Sequence, residues 1–255
     1  MLLCDTDPNP VTLVNPDSLS PFFLVCDHAG FTFPKALKNL GLTKEDQQRH
    51  ISGDIGIKGV GEKLSSLLHA TLITQSYSRL VIDCNRNTLN PTLIAPTSDD
   101  TVIPGNQNLS LEQQQARITE IYQPYHQKIS DLLDCRLQRN IHTVFVSLHS
   151  FTPKMQNGEK RPWHAGILHE YSDKFSLLFK QKLQENYAYP IGDNQPYALT
   201  EKNDYTVPNH ALKRNIPYLE LEIRQDLITT SEQQEEWAER LSFLLPIALK
   251  DYTIL

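Results

Sequence analysis

Four stretches of this chain carry ionisable or amide side chains at or near the ends of short apolar runs. They are Asp27-His28 after FFLVC, Asp83-Cys84-Asn85-Arg86 after RLVI, His149-Ser150 after TVFVSL, and the run Glu220 to Arg224. Side chains alternate in a strand, so Glu220, Glu222 and Arg224 would share one face, with Leu219, Leu221 and Ile223 on the other. A sheet edge accommodates that pattern easily. A central strand would bury the carboxylates, and buried charge is rare unless it is paired or holds a metal. Two histidines and a carboxylate around an open position are what a catalytic zinc requires, because three protein ligands leave the fourth place to water. The metal acidifies that water, and a nearby carboxylate can carry its proton to a leaving nitrogen. His28 and His149 are the pair that the strand ends nominate from the nine histidines. His164, His169 and His210 stay open as alternatives, while His50, His69, His126 and His142 read as solvated or helix-face residues. The plain alternative is a histidine that caps a strand and binds nothing.

The elements that must position these groups follow from periodicity. Phe22–Cys26, Thr71–Thr74, Arg79–Cys84, Thr143–Ser147, Ala165–Leu168 and Tyr218–Ile223 read as strands, and the chain is expected to leave the sheet at His149. Val60, Leu64, Leu67 and Leu68 recur at helical spacing, and Asp173–Asn186 is amphipathic. Pro34–Leu40 resembles a short helix with Pro34 in its first turn and Gly41 past its end, and Thr43–Asp46 resembles a helix start. Ser110 with Gln113 forms a capping box for a long helix toward Arg139, disturbed near Pro124, and Ser231 with Gln234 forms another ahead of a helix over Glu232–Lys250. Strand alternating with helix argues for a largely parallel sheet with helices on both faces, and ligands gather beyond the carboxyl ends of such strands. Residues 88–108, with Pro91, Pro96 and Pro104, form an irregular excursion of the kind that covers a site.

Composition narrows the classes. The 255 residues carry a net charge of −6 and no block of Lys or Arg, so the footprint of a nucleic-acid binder is missing. A small-molecule substrate fits better. Cys4, Cys26, Cys84 and Cys135 lack the close spacing of a zinc knuckle or redox motif and are expected as reduced thiols. No basic-then-apolar leader and no apolar run of about 18 residues occurs, so a cytoplasmic protein with no membrane association is expected. One domain over residues 1–255 is expected, with the Pro- and Asn-rich residues 1–20 wrapping its surface.

Taken in order, CDHAGFTFP, HISGDIG, YSRLVIDCNRN, SLHSFTP, RPWHAGIL and ELEIRQDL resemble the N-formylglutamate amidohydrolase family over Phe22 to Leu227. That family is similar to the zinc carboxypeptidases and amino-acid deacylases. The resemblance implies a three-layer α/β fold with a mixed, mostly parallel central sheet, one divalent metal of the zinc type, and hydrolysis of the amide of an N-acyl amino acid. The type reaction takes N-formyl-L-glutamate to formate and L-glutamate. By position, His28 resembles the first metal ligand and His149 the last. Glu222 is similar to the general base and acid, and Asn85-Arg86 to the pair that grips a substrate carboxylate.

One position departs from the zinc carboxypeptidase pattern. Phe31 stands where that group has a ligating glutamate, so the carboxylate ligand must come from elsewhere. Asp54 is the choice, with a helix cap as its ordinary role, and Asp27 is the rival as ligand or as a partner orienting His28. Arg79 or Arg224 would stabilise the oxyanion, and Arg161 and His164 are the candidates for a glutamate side chain. Two other readings stay open: a deacylase or amidase of different acyl specificity, and a homologue that binds a small molecule without catalysis.

Overall fold

Apolar runs without polar alternation, such as Phe22–Cys26, have to be covered on both faces, and that requirement sets the architecture. The computed structural model describes residues 1–170 and 173–254. Its strands are β1 (Val11–Val14), β2 (Phe22–Cys26), β3 (Thr71–Gln75), the short β4 (Thr97–Ser98) and β5 (Thr101–Val102), β6 (Val144–Phe151), β7 (Ala165–Leu168), β8 (Ile191–Asp193) and β9 (Tyr218–Arg224). Seven of them form one sheet in the order β1-β3-β2-β6-β9-β7-β8. The central strands β3, β2, β6 and β9 are parallel, while β1 and β7 run antiparallel to their inner neighbours. The sheet is therefore mixed and mostly parallel, and β4 and β5 pair apart from it.

The helices are α1 (Ile57–Leu68), α2 (Leu111–Arg117), α3 (Gln123–Gln138), α4 (Lys174–Asn186) and α5 (Ser231–Ile254). Phe22, Leu24, Leu148 and Leu221 face a core shared with α1, α4 and α5. Phe23, Val25 and Phe145 face the opposite core, which takes Ile129 and Leu133 from α3. The result is three layers of α/β type. Among the described residues no helix is long and apolar enough to cross a membrane.

Several local expectations hold for identifiable reasons. Ser110 and Gln113 exchange both hydrogen bonds of the capping box. Pro124 stands in the first turn of α3, where its missing N–H matters little, and a π-helical turn over Ile118–Tyr122 joins α2 to α3. The helix expected over Asp173–Asn186 is α4, with Asp173 standing just outside it as the cap and accepting a hydrogen bond from the Ser176 N–H at 2.8 Å.

Others need correction. Arg79–Cys84 is not a strand but a buried irregular segment. Its backbone is satisfied from outside any ladder: Asn106 donates to the Leu80 carbonyl and Arg117, itself buried, to that of Val81, both at 2.8 Å. Periodicity cannot distinguish such a segment from a strand. Strand β6 does not end at His149 but pairs with β9 as far as Phe151. Positive φ at Lys38 and Leu40 reduces Pro34–Leu40 to a single 3-10 turn over Lys35–Leu37, and Thr43 leads only into a 3-10 turn over Asp46–Gln48. Thr230 and Gln233, rather than Ser231 and Gln234, exchange the capping-box hydrogen bonds at the start of α5. Residues 1–20 supply the edge strand β1 as well as surface chain.

The turn after β2 leans on residues 76–78, where Ser78 N donates to the Thr32 carbonyl at 2.9 Å. A Cβ at Gly30 would lie 2.1 Å from the Ser76 carbonyl oxygen. Gly30→Ala is therefore expected to destabilise the fold by about 1–3 kcal/mol, read as a lower urea midpoint. An unchanged midpoint would show that the turn shifts without cost.

Candidate active site

The polar groups converge at the carboxyl ends of β2, β6 and β9. His28 follows β2. Ser147 and His149 share one face of β6, and the β6–β9 register sets Ser147 opposite Glu220 and His149 opposite Glu222. β9 is buried along its whole length, so its carboxylates belong to an interior site and not to an exposed edge. Asp54 arrives on the turn ahead of α1, anchored by its N–H to the His28 carbonyl at 2.9 Å. His28, Asp54, His149, Glu220 and Glu222 line a cavity of about 300 Å³ together with Arg79, Asn85 and Arg86.

Both imidazoles are oriented in the same way. His28 Nε2 lies 2.7 Å from Asp83 Oδ1, and His149 Nε2 lies 3.1 Å from Ser147 Oγ and 3.5 Å from Asp27 Oδ2. Their Nδ1 atoms turn inward toward Asp54 Oδ2, at 3.5 Å from His28 and 3.0 Å from His149. His28 Nδ1 is buried and has no hydrogen-bond partner. Ligand atoms of His28, Asp54 and His149 all lie within 4.8 Å of one another. Donors bound tetrahedrally about 2 Å from a zinc stand roughly 3.3 Å apart, so this spacing suits such a cation with little movement. Each outer nitrogen meets an acceptor, as ligating histidines require, while the inner nitrogen of His149 makes a hydrogen bond to Asp54 Oδ2 that a cation would replace.

Electrostatics agree with the geometry. Burial and the Arg79 guanidinium press the His28 pKa down, but Asp83 and Asp54 outweigh them and raise it above the ordinary value. Burial likewise opposes charge on His149, and Asp27 and Asp54 carry its pKa well up. A field that draws protons to two neighbouring rings would equally draw a cation between them. Asp54 itself is held far below the usual carboxylate range, its burial overcome by the two imidazoles.

Glu222 is buried, and its Oε2 has no partner. Burial lifts its pKa to about 7 against the pull of His149, which lets a carboxyl take and return protons near neutrality. Glu220, deeper on the same face, is also unpartnered at Oε2, and burial and then Asp204 push its pKa well above the usual range.

The remaining expected residues divide. Arg79 lines the cavity but is tied to Asp83 at 2.6 Å and stands 3.6 Å from Asp54. Arg86 lines it too, donating to the carbonyls of Asn85 and Asn203. Asn85 spends its side-chain oxygen on the N–H groups of Tyr205 and Thr206, both at 2.9 Å, and so orders the loop beside Arg86. Arg224 is not brought to the cavity: it pairs with Asp226 at 2.8 Å and reaches the carbonyls of residues 161–163. His164 is also elsewhere, stacked on Tyr189 and 3.0 Å from the Tyr187 hydroxyl. Arg161 lies behind the wall, its guanidinium 4.9 Å over the ring of Tyr197. Asp27 stands behind His149, held by the Tyr125 hydroxyl at 2.7 Å, and the residue orienting His28 is Asp83. His50, expected as a solvated or helix-face residue, instead lines the cavity, as do Tyr197 and Asp204, which the expectations passed over. His50 could have been found in HISGDIG, the segment that carries Asp54. Tyr197 and Asp204 left no local signal.

Comparison with known proteins bears on this arrangement. Residues 20–229 match the family described as N-formylglutamate amidohydrolase. A crystal structure of a gene product from Agrobacterium tumefaciens superposes with a TM-score of 0.95 at 31% identity, covering 99% of this chain and 100% of that one. The N-formylglutamate amidohydrolase of Ralstonia eutropha JMP134 shares the fold, with a TM-score of 0.74 at 19% identity over 97% of this chain and 100% of its own. No curated protein sequence matches the chain.

Beneath Asn85, His126 and His210 form a buried pair with ring nitrogens 2.9 Å apart, and His126 Nε2 donates to the Cys84 carbonyl. Burial lowers the His126 pKa to about 4, while an unfolded imidazole titrates near 6.5. Below about pH 6.5 the unfolded chain binds a proton that the folded chain refuses, so this group's contribution to stability falls as pH drops toward 4. By about pH 5 the loss amounts to roughly 2 kcal/mol. Urea titrations near pH 7 and pH 5 should show His126→Gln losing roughly 2 kcal/mol less than the wild type on acidification. Equal losses would mean that the pair is not acid-sensitive.

Proposed function

The chain belongs to the N-formylglutamate amidohydrolase family, hydrolases that act on a linear amide bond, and from that premise we propose that it cleaves the amide of an N-acyl amino acid with the help of one divalent metal. N-formyl-L-glutamate, giving formate and L-glutamate, is the substrate proposed. The observation that carries the metal is the buried, unpartnered His28 Nδ1 facing Asp54 Oδ2 and His149 within a single cluster. His28, Asp54 and His149 would hold the ion, as two histidines and an acid do in zinc carboxypeptidases. Bound there, zinc would supply Lewis acidity, polarising the scissile carbonyl and acidifying water.

The chain's own groups do the rest. Glu222 takes the proton of the attacking water and returns it to the leaving nitrogen, a role supported by its burial, its free Oε2 and its position opposite His149. A nearby cation draws its pKa below the value it has alone, which keeps it ionised for the first transfer. Asp83 and Ser147 fix the imidazole orientations, and Arg79 braces Asp54 and Asp83 while presenting positive charge toward the developing oxyanion. Arg86 receives the α-carboxylate, and Asn85 shapes that side of the cavity through the loop it holds. Unpaired thiols, with no disulfide among the described residues, fit the cytoplasm proposed as its compartment.

Protein purified without chelator should retain close to one equivalent of zinc. Glu222→Gln should keep that metal and lose about 10²- to 10⁴-fold in kcat. Wild-type turnover in this variant would assign proton transfer elsewhere. In a panel of N-formyl, N-acetyl and N-succinyl amino acids, an N-acetyl preference above about tenfold would replace formyl as the acyl group.

A further inference from the structure

A second cavity, of about 250 Å³, adjoins the first and shares His50, Arg79, Arg86 and Tyr197 with it. Its far side is built by Thr92, Thr97 and Ser98 of the excursion over residues 88–108. The two chambers differ in charge. The first gathers Asp204, Glu220 and Glu222 on the β9 side. In the second the one carboxylate is Asp83, already paired with Arg79 at 2.6 Å. An anionic substrate arm would meet a cluster of three carboxyls in one direction and guanidinium groups with hydroxyls in the other.

His50 stands at the junction. Its Nε2 is buried without a hydrogen-bond partner. The nearest acid, Asp99 Oδ2 at 3.4 Å, is already paired with Arg49 at 3.0 Å, and Asp99 Oδ1 accepts from the Gln156 N–H. Burial lowers the His50 pKa, and the nearby guanidinium groups of Arg49, Arg79 and Arg161 add to that against the pull of Asp99. Burial and these guanidinium groups favour the neutral ring, and its buried Nε2 is left without a hydrogen bond.

We propose that this second chamber is the subsite for a distal carboxylate of the substrate, with His50 its specificity-determining residue and Arg79 and Arg86 supplying the field. The proposal rests on the N-acyl amino acid reading and adds to it the chamber and the residue that would tell an anionic side chain from a neutral one. Arg161 and His164, which the sequence suggested for that task, do not line either cavity.

The test compares N-formylglutamate with N-formylalanine, and glutarate with butyrate as non-reacting ligands titrated calorimetrically. Wild-type enzyme should favour N-formylglutamate in KM, and glutarate in affinity, by roughly tenfold or more, the worth of a hydrogen bond to a charged group. His50→Leu should lose that preference by raising KM for N-formylglutamate alone, with kcat and the alanine substrate little changed. His50→Gln, which keeps an N–H donor, should restore part of it. If wild type hydrolyses both substrates alike and binds glutarate no better than butyrate, the chamber is not a carboxylate subsite although the amidohydrolase reading stands. If no N-acyl amino acid is hydrolysed, that reading falls, and the glutarate and butyrate titrations of wild type and His50→Leu still decide whether the subsite exists.

Discussion

A carboxylate stays ionised in a protein interior only where cations or hydrogen-bond donors meet it, and this molecule buries Asp27, Asp54, Asp83, Glu220 and Glu222 around one end of its sheet. Asp54 and Asp83 are met by His28, His149 and Arg79, and Asp27 by Tyr125 and His149. Glu220 and Glu222 are left without a full set of partners. The first three therefore remain charged, while burial raises the pKa values of the two glutamates. One region thus holds acids that can serve as fixed ligands and acids that can move protons.

That separation depends on the register between β6 and β9. Because His149 lies opposite Glu222, a slip of one residue would turn Glu222 into the core beside α4 and α5 and bring a leucine or isoleucine to the cavity. The apolar alternation of β9 guards against such a slip, since Leu219, Leu221 and Ile223 are wholly buried on the other side. Packing and chemistry are enforced by the same hydrogen-bonded pairing. The loops are held differently, by buried side chains that bond to them directly: Asn85 orders residues 204–206, and Asn106 and Arg117 hold the segment before Asp83.

Charge is also sorted across the site. The β9 side is acidic, and the side toward residues 88–108 carries arginine and histidine. The excursion is tied to the 154–160 hairpin through Asp99 with Gln156 and Asp100 with Asn157. Its hydroxyls and the arginines consequently face one another across a defined gap.

Much of this was legible in the sequence. The three layers, the long helices, the cap at Ser110, and the strands β2, β6 and β9 follow from periodicity and capping chemistry, which act over a few residues. The polar ends of those strands were visible for the same reason, and the ordered motifs around His28, Asp54, His149 and Glu222 pointed to one family. The tertiary structure alone decided that Asp83 backs His28 and Asp27 backs His149, that Arg224 and His164 face away, and that His50 joins the cavity. It also decided that RLVIDC is a buried loop and not a strand. Those outcomes depend on strand order and on which distant side chain satisfies a buried carbonyl or carboxylate, and pairings between residues far apart in the chain leave no trace in local hydrophobic pattern.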